Sequence, residues 1–101
     1  MTEKASARPG AEQAESREFR VRNQYGIHAR PAALLVKTAS AFRSEIVIAK
    51  AGVTVSAKSI MGLLTIEGHH DALLRVTARG PDAAEAIRAI AELFENRFYE
   101  D

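Results

Sequence analysis

The stretch Glu18–Val36, EFRVRNQYGIHARPAALLV, changes its period half-way, and that change decides the fold. From Glu18 to Tyr25 the residues alternate, with Phe19, Val21, Asn23 and Tyr25 on one side and Arg20, Arg22 and Gln24 on the other. A period of two with one wet face predicts a strand. Gly26 interrupts it. From Ala29 to about Phe42 the apolar positions Ala32, Leu35, Val36, Ala39 and Phe42 fall at helical spacing. Pro31 is tolerable only in the first turn of that helix.

Reading toward the C-terminus, Glu45–Lys50 and Val53–Ala57 flank the short turn Ala51-Gly52, which predicts a hairpin. Ile60–Ile66 is a compact apolar run, and Ser59 at its head suits a helix N-cap. Leu73–Arg79 alternates again, with Leu74, Val76 and Ala78 opposed to Leu73, Arg75 and Thr77. Gly80-Pro81-Asp82 breaks the chain before a last helix, in which Ala83, Ile87, Ile90, Phe94 and Phe98 recur at steps of four, three, four and four. The order is β-α-β-β-α-β-α. Half-polar strands imply an antiparallel sheet with one wet face, so the fold class is α+β: a two-layer open-faced sandwich with four strands and three helices on one face.

Met1–Arg17 lacks apolar periodicity, and its Lys4, Arg8 and Arg17 balance Glu3, Glu12 and Glu15. It reads as a disordered tail, 1–17, preceding a single domain, 18–101. The composition bounds the function. A chain of 101 residues with 47% hydrophobic and 27% charged residues is the size of one globular domain. The absence of Cys excludes a disulfide scaffold, a thiol nucleophile and Cys-ligated metal sites. A net charge of +1 gives no reason to expect nucleic acid or an anionic membrane as partner. No apolar run approaches a membrane span, and the N-terminal residues lack a signal-peptide core, so a cytoplasmic location is expected.

The chemistry is concentrated at His28. It stands where the strand has ended and the helix begins, and the amides of Ala29 and Arg30 are among the unpaired donors of the first turn. Those donors and the helix dipole suit an anion, and the Arg30 guanidinium can swing to the same anion. Neutral imidazole is a good nucleophile near neutral pH, so the group suits a histidine that carries a phosphoryl group. From the spacing alone, a solvated histidine weakly capping the helix fits as well. His69-His70 beside Asp71 lacks a spaced third ligand and reads as solvated turn residues rather than a metal site.

Two motifs in register go further. Gly26-Ile27-His28-Ala29-Arg30-Pro31-Ala32 resembles the active-site signature of the HPr family, the histidine phosphocarriers of the bacterial phosphoenolpyruvate-dependent phosphotransferase system. Ala57-Lys58-Ser59-Ile60-Met61-Gly62-Leu63-Leu64 is similar to the regulatory-serine segment of that family, and Ala78-Arg79-Gly80, leading into an Ala-rich helix, resembles its usual chain end. The resemblance spans about residues 18–100. It implies that His28 is the phosphorylated histidine, modified on Nδ1, with Arg30 helping to hold and release the group. Ala29 and Arg30 would supply backbone amides to the phosphate. Ser59 would be the site of a regulatory kinase, and Ile60, Met61 and Leu64 the patch that docks partners. The implied partners are Enzyme I, EIIA-type proteins and, where Ser59 is used, an HPr kinase/phosphorylase. No cofactor, metal, nucleic acid or membrane insertion is expected, and the chain is expected to act as a monomeric phosphoryl relay, not as an enzyme with its own turnover.

Plainer readings stand beside these. Ser59 suits a simple N-cap, and part of the Ile60–Leu64 group suits the core, with at least one side chain exposed. A regulatory binding module of the same fold, acting through Ser59 and the apolar patch, is the alternative to a carrier, although it has no need of the His28–Arg30 pair. Lys58–Gly62 looks like the sugar-transport branch, whereas Gly80-Pro81 and the ending Leu93–Asp101 look like the nitrogen-related branch, NPr. The mixture suggests a regulatory carrier. Asp71 stands where the resemblance leads one to expect glycine.

Overall fold

A computed structural model describes residues 13–100 of the chain. Its elements are β1 (Ala14–Arg20), α1 (Ala29–Ser40), β2 (Glu45–Lys50), β3 (Val53–Ser56), α2 (Ile60–Thr65), β4 (Leu73–Arg79) and α3 (Ala83–Glu95), followed by a short helical turn at Arg97–Tyr99. The four strands form one sheet in the order β1-β4-β2-β3, and each neighbouring pair is antiparallel. The Ala51-Gly52 turn between β2 and β3 has both residues at positive φ, 49° and 89°, the geometry that matches the strand twist in a two-residue hairpin.

One face of the sheet is buried and the other is wet, as the alternation requires. Leu74, Val76 and Ala78 of β4 are buried, and Leu73, Arg75 and Thr77 face away from the core. Ile46 and Ile48 do the same on β2. The helices cover the buried face. From α3 the sheet receives Ala83, Ile87, Ile90 and Phe94, and from α1 the core receives Ala32, Leu35 and Ala39. Phe94 stacks on Phe19 of β1 with centroids 4.7 Å apart and the rings within 10° of parallel. The predicted two-layer α+β sandwich is the architecture found.

Three local expectations change. The first strand begins at Ala14, not after Arg17, so the predicted tail is too long at its C-terminal side. Ala14–Arg17 are exposed and show no apolar pattern, yet their backbone pairs in register with Val76–Arg79. Gly80 N–H adds a bond to the Gln13 carbonyl, Ser16 Oγ lies 2.8 Å from Thr77 Oγ1, and the Arg17 guanidinium sits 5.1 Å over the Phe19 ring. Backbone pairing, not burial, orders this segment; the rest of the expected tail, residues 1–12, lies outside the described residues.

The same strand also ends sooner. Val21 still exchanges bonds with Ala72 and Asp71, but Asn23–Gly26 folds into a turn, with Gly26 N–H donating to the Asn23 carbonyl. Asn23 stays buried on the inward face, whereas Tyr25 is carried out to 75% exposure. Lastly, α3 stops at Glu95. Arg97, Phe98 and Tyr99 take left-handed φ values of 54°, 53° and 60°, yet Phe98 remains buried against Phe94, with centroids 4.9 Å apart. The apolar period outlasts the helix because the turn returns Phe98 to the same core.

Candidate active site

The site is set by how the chain leaves the turn after β1. Gly26 takes φ 71°, and a Cβ there would meet the Gly68 carbonyl and come within 2.8 Å of His69 Cα. Only glycine fits so close an approach. Ile27 then buries its side chain and donates its N–H to the Gly68 carbonyl at 2.7 Å, which pins the segment to the loop before β4. His28 follows as the N-cap of α1, with extended backbone at φ −93° and ψ −164°, and its carbonyl accepts the first helical bond from Ala32 N–H. Its side chain makes no capping bond. The imidazole therefore projects from the helix start, 42% exposed.

Among the described residues the Ala29 and Arg30 amides have no backbone acceptor, and Pro31 is buried in the first turn with no N–H to leave unpaired. Ala29 and Arg30 are exposed beside the ring. His28 and Arg30 line an open hollow of about 480 Å³ together with Gln24, Tyr25, Tyr99 and Glu100. The Tyr25 ring stands edge-on to the imidazole with centroids 6.4 Å apart. The hollow thus presents one imidazole, one guanidinium and, on the Nε2 side of the ring, the Glu100 carboxylate, and the two unpaired amides lie at the adjoining helix start. That set can accept a small anion on a ring nitrogen and balance its charge without enclosing it.

Two residues at this site lie outside the sequence-based set. The Glu100 carboxylate sits against His28 Nε2, at 3.0 Å from Oε2 and 3.2 Å from Oε1. Buried Asn23 donates from Nδ2 to Glu100 Oε1 at 3.0 Å and to the Gly26 carbonyl at 2.7 Å. An asparagine on the inward face of the first strand is the one sequence signal that singles out this pair. Glu100 has none, because only the left-handed turn after Asn96 brings it back to the start of α1.

Ser59, Ile60, Met61 and Leu64 form a separate place. Ser59 caps α2, its Oγ accepting from Gly62 N–H at 3.1 Å. Lys58 beside it donates from Nζ to the Phe42 carbonyl, just past the C-terminal end of α1. His28 is at the other end, and a 12-residue helix is about 18 Å long. The structure therefore does not bring Ser59 to the imidazole. From there α2 leads back to Gly68, beside Ile27, with Ile60, Met61 and Leu64 exposed at 41%, 69% and 44% while Leu63 is buried. All three of the expected patch residues face outward along this path.

His69 and His70 are exposed loop residues; His70 Nδ1 lies 3.3 Å from the Asn23 carbonyl, and Lys50 donates to the Glu67 carbonyl in the same loop. Asp71 holds φ 72°, so the left-handed position for which glycine was expected is occupied by a residue that tolerates it better than most. Among the described residues no helix is long and apolar enough to cross a membrane.

The model of the family described as PTS HPr component phosphorylation site matches residues 15–96. The chain belongs to the HPr family. Phosphocarrier protein HPr of Treponema pallidum is 44% identical over 82 residues, which are 81% of this chain and 93% of that protein. A crystal structure of HPr from Thermoanaerobacter tengcongensis superposes with a TM-score of 0.83 at 40% identity, covering 86% of this chain and 98% of its own. A structure of an HPr dimer from the same organism gives a TM-score of 0.68 at 44% identity, covering 77% of this chain and 90% of its own. Proteins of this family are phosphocarriers of the phosphotransferase system rather than classical enzymes.

Proposed function

We propose that this chain accepts a phosphoryl group on His28 from phosphorylated Enzyme I and passes it to EIIA-type proteins. The observation that carries the reading is the exposed imidazole at the N-cap of α1, with the Ala29 and Arg30 amides unpaired beside it. A phosphoryl group on that ring brings negative charge to the positive end of a helix dipole. Arg30 adds a mobile fork in open solvent, a hold that favours the group without enclosing it. Exchange with a partner then needs only docking over the hollow, and Ile60, Met61 and Leu64 offer an apolar surface for it. With a donor and an acceptor each supplying half of the exchange, the protein is a relay with no turnover of its own.

Ser59 is the proposed regulatory site, modified by an HPr kinase/phosphorylase. A dianion there would stand beside the apolar patch and oppose docking by its charge. The chain is proposed to act as a monomer in the cytoplasm, because sequential docking with different partners uses the same exposed surface.

The test is incubation with phosphoenolpyruvate and Enzyme I, followed by intact-mass measurement. One added phosphoryl group is expected, labile in acid and stable in base, and absent in His28→Ala. Uptake of the acid-labile group by His28→Ala would overturn the assignment. Arg30→Ala should slow transfer with an unchanged unfolding midpoint, since its side chain is exposed. Incubation with ATP and the kinase should add an acid-stable phosphate that Ser59→Ala does not take up.

A further inference from the structure

We propose that Glu100, held in place by Asn23, is a positioning residue that keeps the ring proton of His28 on Nε2 and leaves the Nδ1 lone pair open to the incoming phosphoryl group. This rests on the carrier reading above and adds the group that decides which nitrogen reacts.

The donor and acceptor inventory leaves little choice. A carboxylate only accepts, so the short contact from Glu100 to Nε2 requires that Nε2 carry a proton. Neutral imidazole has one ring proton, so Nδ1 is then unprotonated. Asn23 fixes the carboxylate from behind. Its two close contacts, the Gly26 carbonyl and Glu100 Oε1, are both acceptors, so the amide nitrogen must face them. The opposite flip would set its oxygen against two oxygens. The consequence is visible in the structure: Asn23 Oδ1 is buried without a hydrogen-bond partner. An unpaired buried oxygen is tolerated where the other end of the side chain cannot turn.

The C-terminal turn points the same way. Glu100 reaches His28 only because Arg97, Phe98 and Tyr99 all adopt left-handed φ, a conformation that side-chain-bearing residues rarely take in succession. Buried Phe98 anchors this turn, and Glu100 is left with 15% side-chain exposure beside a ring that is itself 42% exposed. In the transfer, the Nδ1 lone pair forms the new N–P bond. The bond from phosphorus to the donor atom of phosphorylated Enzyme I breaks, and its electron pair returns to that donor. Nε2 keeps its proton, so the His28 ring gains positive charge while facing the Glu100 carboxylate.

Glu100→Gln tests this with nearly the same shape. Asn23 should still donate to the glutamine oxygen, which turns the glutamine NH2 toward Nε2. The NH2 then replaces Oε2, at 3.0 Å the closer of the two oxygens to Nε2, and so favours an accepting Nε2 with the proton on Nδ1, the wrong tautomer for attack. The readout is nitrogen-15 NMR of the histidine rings in the full, unphosphorylated chain at a pH where the rings are neutral. The Nε2–H form should dominate His28 in the natural sequence and the Nδ1–H form in Glu100→Gln. Phosphoryl uptake from phosphorylated Enzyme I should fall about 10- to 100-fold, the range typical for loss of a group that orients a histidine ligand. Glu100→Ala, which leaves the ring to water, should show mixed tautomers and keeps the idea testable if the glutamine variant folds poorly. An unchanged His28 tautomer in both variants overturns the proposal, whatever the rate does. An inverted tautomer with an unchanged rate overturns its functional half. Neither result touches the His28→Ala mass experiment, so failure of the carrier reading is distinguishable from failure of this one.

Discussion

Truncating Phe98 to Ala tests the joint on which the C-terminal part of the site depends. Phe98 is 1% exposed and meets Phe94 edge-on at 4.9 Å, although its own backbone is left-handed. Removing a buried Phe costs about 3–5 kcal/mol, of which the aromatic pairing supplies about 0.5–1.5 kcal/mol. Two features place this case at the low end. The position lies in a three-residue turn outside the regular helices, so the vacated space can collapse. The three left-handed residues cost roughly 1–2 kcal/mol each to hold, and undocking the turn returns that strain. The loss cannot exceed the net contribution of the docked turn, and about 3 kcal/mol is expected. For a domain of this size that lowers Tm by about 12–24 °C. Urea titration followed by far-ultraviolet circular dichroism measures it directly. Phe98→Leu, which keeps apolar volume and loses the ring pair, should cost about 1 kcal/mol. A loss below about 1 kcal/mol in Phe98→Ala would mean that the turn is not anchored by this ring, and the route of Glu100 to His28 would lose its support.

Other expectations follow from single residues. Gly26→Ala should cost about 1–2 kcal/mol for its φ of 71° alone, with the Gly68 clash added, and should slow phosphoryl uptake because the same turn aims His28; an unchanged urea midpoint would refute the steric account. Ser59→Ala removes the α2 cap and should lower the unfolding free energy by about 1 kcal/mol without touching uptake at His28, measured by paired denaturation and mass experiments. Asp82 accepts from the Ser44 hydroxyl and from the Arg43 and Ser44 amides, and these bonds, the Ser44 hydroxyl foremost, lower its pKa from 3.8 to about 2 against the opposing effect of desolvation. A depressed folded-state pKa stabilises above the unfolded value, and that stabilisation is lost as pH falls from about 4 through about 2. Urea midpoints of the natural sequence and Asp82→Asn should therefore differ at neutral pH and converge in acid; a constant gap would refute the assignment.

Much of the fold is legible in the sequence because burial leaves a period. Leu74, Val76 and Ala78 announce their face of β4, and Ala83, Ile87, Ile90 and Phe94 theirs on α3. What is not legible is structure held by backbone alone. Ala14–Arg17 bury no side chain and so carry no pattern, yet their ladder with β4 continues the register in which buried Phe19 pairs with Leu74. Phe98 deceives in the opposite sense. It keeps the helical step of four while the helix has already ended, because a left-handed turn and a helical one can return a ring to the same pocket.

The site divides along the same line. His28, Ala29 and Arg30 are legible because they are consecutive and sit on the boundary between two periods, where a helix start exposes its amides. Glu100 is 72 residues from His28 and Asn23 is 77 from Glu100, so no local spacing joins them. Their meeting depends on φ values that the residue types Arg97, Phe98 and Tyr99 do not favour. Asn23 alone left a trace, as an amide among inward-facing apolar positions. A polar residue on a buried face must find hydrogen-bond partners inside the protein, and here the Asn23 Nδ2 does so by gripping the carboxylate that faces the reactive ring, while its Oδ1 stays unpaired. A buried polar residue beside a candidate nucleophile is therefore the cue to search for a partner brought in from far along the chain.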